Sequence, residues 1–393
     1  MITPPFTPKT ERYQYIDFLR GFAALLVIYQ HTVDFATMAQ ANVNLNAVEV
    51  AIAYFFSKQV GIGEIGVCIF LMVSGFVVPF SLANYRVEPV KTFVIHRFFR
   101  LYPAYWLSAV LGLVFVWWRF GVSQGGNNID WLMFIANLTM FQAFVGIDNI
   151  IGSYWTLALE LLFYFFCIYL FSRRKMTSLK SILLLMLVVL LLPKLFHRVT
   201  DVSAYFANVL FYLRYIGYMF FGLLYRDWLL NKNSATGNKA LFKALFVLIL
   251  TFSIFTGRDI LHFWTLDTAQ IRSPAAQLIA IVIFILMTTV FRLQGKLGSF
   301  LGKISYSMYL FHPVIFYPLY TYVWRTLPPE WQAHPHLFFV LSALLTIGFS
   351  YCSYRWLEEP SIGLGKKITR QRREGLMPQG IDMQTFRNSQ LSR

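Results

Sequence analysis

Long apolar runs alternate with short polar segments over most of this chain. A helix of about 20 apolar residues is long enough to cross the hydrocarbon core of a bilayer. The pattern therefore predicts an all-α fold, a polytopic transmembrane helical bundle of about ten spans. The predicted spans are 15–36, 61–83, 101–119, 154–172, 181–197, 205–225, 241–257, 274–292, 304–324 and 336–357.

The first run, residues 15–36, is unusual because it carries ionisable side chains. Asp17, Arg20, His31 and Asp34 lie within it, and Arg20 and His31 are eleven residues apart, about three helical turns along one face. Charged groups at membrane depth are costly and usually face a protein interior or a wet cavity. One face of this helix is therefore predicted to carry functional side chains, while the other meets lipid or neighbouring helices.

A shorter apolar piece at 131–145 decides the topology, because the basic loops that follow it change sides if it crosses the membrane. With the N-terminus in the cytoplasm and this piece not crossing, the basic loops all fall inside, as the positive-inside rule requires. We therefore predict a re-entrant or surface segment at 131–145, and both termini in the cytoplasm.

This topology divides the chain into three parts. Residues 1–14 form a cytoplasmic N-terminal segment, 15–362 form the transmembrane domain, and 363–393 form a basic cytoplasmic tail that we expect to be disordered. The first run also imitates a secretory signal, with Arg12 before it and Ala39-Gln40-Ala41 after it. It is too long and too charged for the apolar region of a signal, so we interpret it as a span.

Composition supports the membrane assignment. Of the 393 residues, 57% are hydrophobic and only 13% charged, and the mean hydropathy is +0.56, whereas soluble domains are about a quarter charged. The net charge of +16 does not indicate nucleic-acid binding, because the basic residues cluster in the loops. The three cysteines lie inside apolar runs, so neither a disulfide framework nor a metal site is expected.

Two residues of the first run are candidates for catalysis. A neutral imidazole at His31 can act as a general base on a hydroxyl; the alternative is a structural histidine that is hydrogen-bonded to Asp34. Arg20 can receive an anionic group; the alternatives are extension to the lipid headgroups and pairing with Asp17.

A second candidate cluster is HRFFRLYP, from His96 to Pro103, at the predicted cytoplasmic mouth of the third span. Arg97 and Arg100 are three residues apart and share a helix face, so both guanidinium groups can point at one anion. Guanidinium groups bind phosphate bidentately, and this mouth faces the compartment that holds nucleotide-bearing metabolites. The alternative is ordinary anchoring of a helix end by basic residues.

The fourth span begins with a third candidate, WTLALE, from Trp155 to Glu160. A carboxylate inside a span is expensive unless it is paired or protonated. We expect Glu160 to orient His31 or to balance its charge, as a carboxylate does for an imidazole base. The alternative is a structural ion pair with an arginine or a lysine.

Three weaker signals complete the set of candidates. The sequence Ser74–Phe76 in the second span is typical of close helix packing. Glu64 is either a site residue or a charge at a pore mouth. In the ninth span Tyr306, Tyr309 and His312 fall within reach of one face, although a histidine before a proline also fits simple packing at a kink.

Taken together, these segments resemble the integral-membrane acyltransferase-3 family over nearly the whole apolar part of the chain. The resemblance covers an Arg and a His separated by ten residues, an Arg-x-x-Arg, a Trp-Thr-Leu-x-x-Glu, a Ser-Gly-Phe, a Ser-Tyr-x-x-Tyr-Leu-x-His-Pro and a closing Tyr-Arg-x-x-Glu-x-Pro. In this chain they fall on Arg20, His31, Arg97, Arg100, Trp155, Thr156, Leu157, Glu160, Ser74, Gly75, Phe76, Ser305, Tyr306, Tyr309, Leu310, His312, Pro313, Tyr354, Arg355, Glu358 and Pro360.

The resemblance implies a membrane O-acyltransferase that moves an acyl group, expected to be acetyl, from acyl-CoA to a hydroxyl of a cell-surface polysaccharide, lipopolysaccharide or other glycan. It implies that Arg97 and Arg100 bind the CoA phosphates. His31 would deprotonate the acceptor or carry the acyl group transiently. The expected catalytic residues are His31, Glu160, Arg20 and Asp17, and the expected substrate-binding residues are Trp155, Tyr306, Tyr309 and His312.

The resemblance also implies a bacterial inner membrane, with acyl-CoA, the acceptor glycan, membrane lipids and glycan-assembly enzymes as partners and no tightly bound cofactor. Many polysaccharide-modifying members carry a C-terminal esterase-like domain. Only a short stretch follows the last span here, so we expect a stand-alone transferase. Two other functions stay open, a transporter that uses the same ionisable residues and a structural scaffold. The lack of an internal repeat counts against the transporter.

Overall fold

The computed structural model describes residues 13–39, 45–85, 87–120, 131–145, 147–188, 215–261 and 268–375. These residues are predominantly helical and include no β-strand, which confirms the predicted all-α bundle. The helices are α1 (Gln14–Ala39), α2 (Ala47–Tyr54), α3 (Ile62–Ala83), α4 (Pro89–Phe120), α5 (Trp131–Leu138), α6 (Trp155–Ser172), α7 (Leu179–Val188), α8 (Ile216–Leu230), α9 (Ala235–Leu261), α10 (Thr268–Leu286), α11 (Lys296–Pro318), α12 (Pro329–Gln332), α13 (Pro335–Ser353) and α14 (Glu359–Gly375).

Within the described ranges, six helical stretches are long and apolar enough to cross a membrane. They are Ile62–Ala83, Pro89–Phe115, Gly152–Ser172, Ala235–Phe252, Pro274–Phe291 and Pro335–Arg372. The helices α1 and α11 are not among them, although this pair packs more extensively than any other. The predicted spans 181–197 and 205–225 are covered only in part, since 189–214 lie outside the described residues.

The helices α1 and α11 run side by side in the same direction. A Cβ added to Gly302 of α11 would lie 2.6 Å from the Cα of Asp17, so the two backbones approach this closely only because residue 302 is a glycine. Further along both helices, the ring centres of His31 and His312 are 5.3 Å apart. We call the end of the bundle at which α1 begins the basic end, because these cations gather there: Arg97, Arg100, Arg226, Lys303 and Lys366.

The second span packs closely, as its sequence predicts. A Cβ added to Gly75 would lie 2.6 Å from the carbonyl carbon of Met219 on α8. Backbone lies directly against backbone at this point, because a small residue lets the helices approach. The prediction of close packing at Ser74–Phe76 is confirmed.

The contacts between α4 and α6 show that the chain between them starts and ends at the same side of the bundle. Arg97, early in α4, reaches Tyr164 well into α6, whereas Ser108, later in α4, is bonded to Tyr154 just before α6 begins, at 2.7 Å. The two helices are therefore antiparallel neighbours. This arrangement agrees with a segment 131–145 that does not cross.

The helix α5 is a short piece that docks against the middle of α4. Its eight residues span about 12 Å, less than half of the hydrocarbon core. Carbonyls at its C-terminal end accept hydrogen bonds from Tyr102, Tyr105 and Trp106 of α4, at 2.9, 2.5 and 2.9 Å. These side chains satisfy groups that a helix end leaves without partners, which is the expected arrangement for a re-entrant piece.

The predicted disordered tail is partly wrong, because residues 363–375 continue as α14. This helix packs along α4, where Gly365 and Thr369, one turn apart, are buried. The ring of His96 lies 2.9 Å from the hydroxyl of Thr369, and Arg372 pairs with Glu88. The segment has few aliphatic residues, but one face of it finds polar partners on a neighbouring helix. Residues 376–393 lie outside the described part of the chain.

At the other end of the bundle, Glu49 ties α2 to α13. Its carboxylate lies 2.6 Å from Nδ1 of His334 and 3.1 Å from Nδ1 of His336, and the Nε2 of His336 lies 2.9 Å from the hydroxyl of Tyr29. Burial raises the pKa of Glu49, but the hydrogen bonds from the two histidines outweigh it and lower that pKa overall.

Candidate active site

A narrow internal cavity of about 80 Å³ lies among α1, α3, α4, α6 and α11. The cavity is small, since pockets for drug-sized ligands measure about 300 to 1,000 Å³. Much of its wall consists of predicted site residues. They are Arg20, Arg97, Arg100, Glu160, Tyr306 and Tyr309. The bundle thus brings together candidates that are far apart in the sequence.

The two arginines of α4 both line the cavity, as their spacing predicts. Arg97 donates to the hydroxyl of Ser81 at 2.7 Å, and its guanidinium carbon lies 5.1 Å from the ring centre of Tyr164. The hydroxyl of Tyr164 donates to Glu160 at 2.5 Å. Arg97 is therefore held in one orientation by its neighbours, while Arg100 also reaches a wider space at the basic end.

Glu160 faces the arginines of this cavity and not His31. Its carboxylate shares the cavity with three guanidinium groups, which offset its charge in a setting where a lone carboxylate would be costly. His31 does not line the cavity. The predicted pairing of Glu160 with His31 is therefore not what the structure shows, because Glu160 lies deeper in the bundle, level with Arg20.

A wider space of about 480 Å³, the vestibule, lies at the basic end and shares Arg20 and Arg100 with the cavity. Glu358 lines it and accepts a hydrogen bond from the buried Ser307. Cations outnumber carboxylates in the vestibule, which favours an anionic ligand. The charged residues are Arg20, Arg100, Arg226, Lys303 and Lys366 against Asp17 and Glu358.

At its other end the cavity stops at Tyr309. The hydroxyl of Tyr309 donates to the carbonyl of Ser153 at 2.9 Å and accepts from Thr156 at 2.7 Å, so the ring is held in place. His312 lies beyond it, with ring centres 5.9 Å apart, and His31 lies beyond His312. His312 is fully buried, whereas His31 is exposed. The rings of Tyr309, His312 and His31 are consecutive neighbours, and Tyr309 lines the cavity whereas the two histidines do not.

Two sequence candidates belong to a different cluster. Trp155 does not line the cavity; its ring packs 5.5 Å from that of Tyr215. Tyr215 and Gln277 donate to Glu64 at 3.1 and 2.8 Å. The structure thus places Trp155 and Glu64 among contacts that hold α3, α6, α8 and α10 together, and the contact of Trp155 with substrate stays a prediction.

Asp34 bonds to side chains other than that of His31. It accepts hydrogen bonds from Gln30 at 2.6 Å and from Ser57, and it forms an ion pair with Lys58 at 3.1 Å. These contacts tie α1 to the segment that follows α2. The alternative of a histidine held by Asp34 is therefore replaced by the contact between His31 and His312.

Sequence reasoning missed several residues that shape the site. Tyr164 had a local signal, since it lies one helical turn after Glu160. Glu358 belongs to the closing Tyr-Arg-x-x-Glu-x-Pro segment but received no role. The vestibule cations Arg226, Lys303 and Lys366 resemble ordinary loop-facing charges until the helices are assembled.

The fold and the site define an integral membrane protein with a charged internal cavity that meets a basic vestibule. A family model described as an acyltransferase domain matches residues 13–355. The chain therefore belongs to the acyltransferase-3 family, as the resemblance indicates, and is a membrane acyltransferase. No curated protein and no solved structure matches it.

Proposed function

We propose that the protein transfers an acetyl group from acetyl-CoA to a hydroxyl of a cell-surface glycan, such as a polysaccharide or a lipopolysaccharide. One observation carries this proposal. The basic vestibule and the narrow cavity share Arg20 and Arg100, so an anionic headgroup and a slender arm can bind as parts of one molecule. Acyl-CoA has this shape and this charge.

The vestibule would hold the phosphate-bearing nucleotide of the donor. Its excess of cations supports this assignment, because guanidinium groups bind phosphate in a bidentate manner and ammonium groups act as point charges. The pantetheine arm would then extend past Arg97 and Glu160 toward Tyr309, where the cavity stops. The thioester carbon would reach the site from the basic end.

The acceptor would reach the site from the other side, where His31 is exposed. His31 would remove the proton from the acceptor hydroxyl, and, with the ring of Tyr309 turned aside, the oxygen would attack the thioester carbon. The carbon–oxygen bond forms as the carbon–sulfur bond breaks, and the departing thiolate takes up the proton that His31 holds. The products are the ester and CoA.

The distribution of Lys and Arg predicts which end of the bundle faces the cytoplasm. We place the basic end and both termini in the cytoplasm of a bacterium, with the protein in its inner membrane, because cytoplasmic loops carry the excess of Lys and Arg. Acyl-CoA is then available at the vestibule and the glycan at the exposed side of His31. Glycan-assembly enzymes and membrane lipids are the expected neighbours.

The proposal can be tested by mass spectrometry of surface glycans from cells that carry the wild-type protein, no protein, His31→Ala or His334→Ala at matched expression. His334→Ala is the control, because His334 lies in the Glu49 cluster away from the cavity. We expect an acetyl increment with the wild type and with His334→Ala only. Purified protein in nanodiscs should release CoA when acetyl-CoA and the acceptor glycan are both present.

A missing increment together with no CoA release would refute the proposed function. In that case, transport of an anion across proteoliposomes would support the transporter instead. An increment that survives in His31→Ala would keep acyl transfer but would remove His31 from the mechanism.

A further inference from the structure

The proline that follows His312 holds its neutral imidazole in one tautomer. Pro313 has no backbone N–H, so the carbonyl of Tyr309, four residues earlier, lacks its usual helical donor. Nδ1 of His312 lies 2.8 Å from that carbonyl oxygen. A carbonyl can only accept a hydrogen bond, so Nδ1 carries the proton and Nε2 carries a lone pair.

The Nε2 atom of His312 has no hydrogen-bond partner in the part of the chain that the structure describes, and it is inaccessible to solvent. A buried acceptor without a donor is unfavourable, and such groups call for an explanation. Packing at a kink explains the hydrogen bond of Nδ1, but it does not explain why Nε2 is buried without a partner. The atom is therefore available to accept a proton or a hydrogen bond from a neighbour.

The ring of His31 is the polar ring that lies nearest to His312. The two ring centres are 5.3 Å apart and the planes are inclined at 38°, while the other ring neighbours are Tyr309 and Phe316 at 5.9 and 6.2 Å. Since a ring nitrogen lies about 1.2 Å from its ring centre, facing nitrogens can come within about 3 Å, which is hydrogen-bond distance. A hydrogen bond between the two rings then requires only that one nitrogen of each ring faces the other.

We propose that His312 is a positioning residue for His31, and that its Nε2 accepts the N–H of the His31 imidazole. This inference rests on the proposed function. The hydrogen bond would fix the His31 tautomer, so that its other nitrogen presents a lone pair to the acceptor hydroxyl. When His31 takes the hydroxyl proton, the N–H that it shares with His312 stabilises the imidazolium. His312 thus takes the part that the sequence assigned to Glu160.

Two isosteric variants separate this role from a packing role. The side-chain oxygen of glutamine reaches the position of Nε2, whereas the amide of asparagine reaches the position of Nδ1. His312→Gln therefore keeps an acceptor for His31, and His312→Asn keeps only the donor to the carbonyl of Tyr309. His312→Phe keeps the approximate volume and removes both groups.

The experiment measures kcat and KM for acetyl-CoA by CoA release in nanodiscs, with thermal unfolding as the check on folding. We expect His312→Phe and His312→Asn to lower kcat by about 100-fold and His312→Gln by about tenfold or less, as the loss of support for a general base predicts. KM for acetyl-CoA should not change, because the vestibule is untouched. His31→Ala combined with His312→Phe should be no worse than His31→Ala alone.

The opposite pattern, with an active His312→Asn and an inactive His312→Gln, would assign His312 to packing and overturn the inference. Full activity in a folded His312→Phe would also overturn it. Absence of CoA release from the wild type would refute the proposed function, and the inference would fail with it. Wild-type release with either of the first two results would refute the inference alone.

Discussion

The crossing of α1 and α11 offers a test of how strictly the site depends on the helix packing. A Cβ at position 302 would lie 2.6 Å from the Cα and the carbonyl carbon of Asp17, whereas ordinary contact begins at 3.4 Å. Both sides of this contact are backbone, so no side chain can rotate away. Gly302→Ala must therefore separate the two helices by about 1 Å, since close-packed interiors leave little free space.

This displacement moves Tyr306, Tyr309 and His312 relative to Arg20 and His31, because the first three lie on α11 and the other two on α1. A misplacement of about 1 Å in a reacting geometry lowers the rate by about 100-fold. Overpacking of this kind also costs about 1 to 3 kcal/mol of stability. We expect kcat for CoA release to fall by about 100-fold, while the protein still folds.

Gly348→Ala is the matched control. Position 348 also lies within a helix, α13, but a Cβ there meets nothing within 4 Å. We expect unchanged activity and a small gain in thermal stability, because alanine has a higher helix propensity than glycine. Equal activity of Gly302→Ala and Gly348→Ala would refute the argument that the α1–α11 distance sets the geometry of the site.

Three further predictions follow from single contacts. Arg100→Gln should raise KM for acetyl-CoA by about tenfold with little effect on kcat, because it removes one charged phosphate contact worth about 1.5 kcal/mol. Tyr164→Phe should lower kcat about three- to tenfold, because Glu160 loses its donor at a cost of about 1 kcal/mol. Glu49→Gln should lower the thermal midpoint at pH 7, and this effect should shrink as pH falls below 4.5. Folding lowers the pKa of Glu49, so the stability of this contact is present above the ordinary value of 4.5 and is lost as pH falls through the lower folded value.

Each of these three variants has its own control or refuting outcome. Arg325→Gln, far from the vestibule, should leave KM for acetyl-CoA unchanged. Tyr169→Phe alters an exposed tyrosine of the same helix as Tyr164 and should leave kcat unchanged. A Glu49→Gln protein whose destabilisation does not shrink as pH falls below 4.5 would show that the carboxylate charge is not what stabilises the contact.

Local spacing was enough to predict which residues of one helix face the site. Arg97 and Arg100, three apart, line one cavity, and so do Tyr306 and Tyr309. Periodicity fixes such neighbours because side chains three or four residues apart share a helix face. Charge in the later loops, and not periodicity, predicted that 131–145 does not cross, and the antiparallel arrangement of α4 and α6 agrees with this prediction.

Partners on different helices were harder to predict. Glu160 has Tyr164 and three arginines as its neighbours, because the packing of α6 places it level with Arg20 and not with His31. His312 was taken as a substrate contact, and only the bundle reveals that it lies beside His31. Residues 363–375 lack the apolar pattern of a span, but the polar partners on α4 that order them come from distant sequence.

The closure of the cavity at Tyr309 has a consequence for the cell. In the proposed orientation, with the donor used inside and the acceptor modified outside, an acyl group must cross a layer that stays impermeable to ions. An open passage wide enough for a metabolite would dissipate the ion gradients that the membrane maintains. A cavity of about 80 Å³ that ends on an aromatic ring, and opens only when that ring turns aside, would transfer a two-carbon unit while CoA and salts stay on their own sides. The membrane seal and the chemistry would then depend on the same side chain.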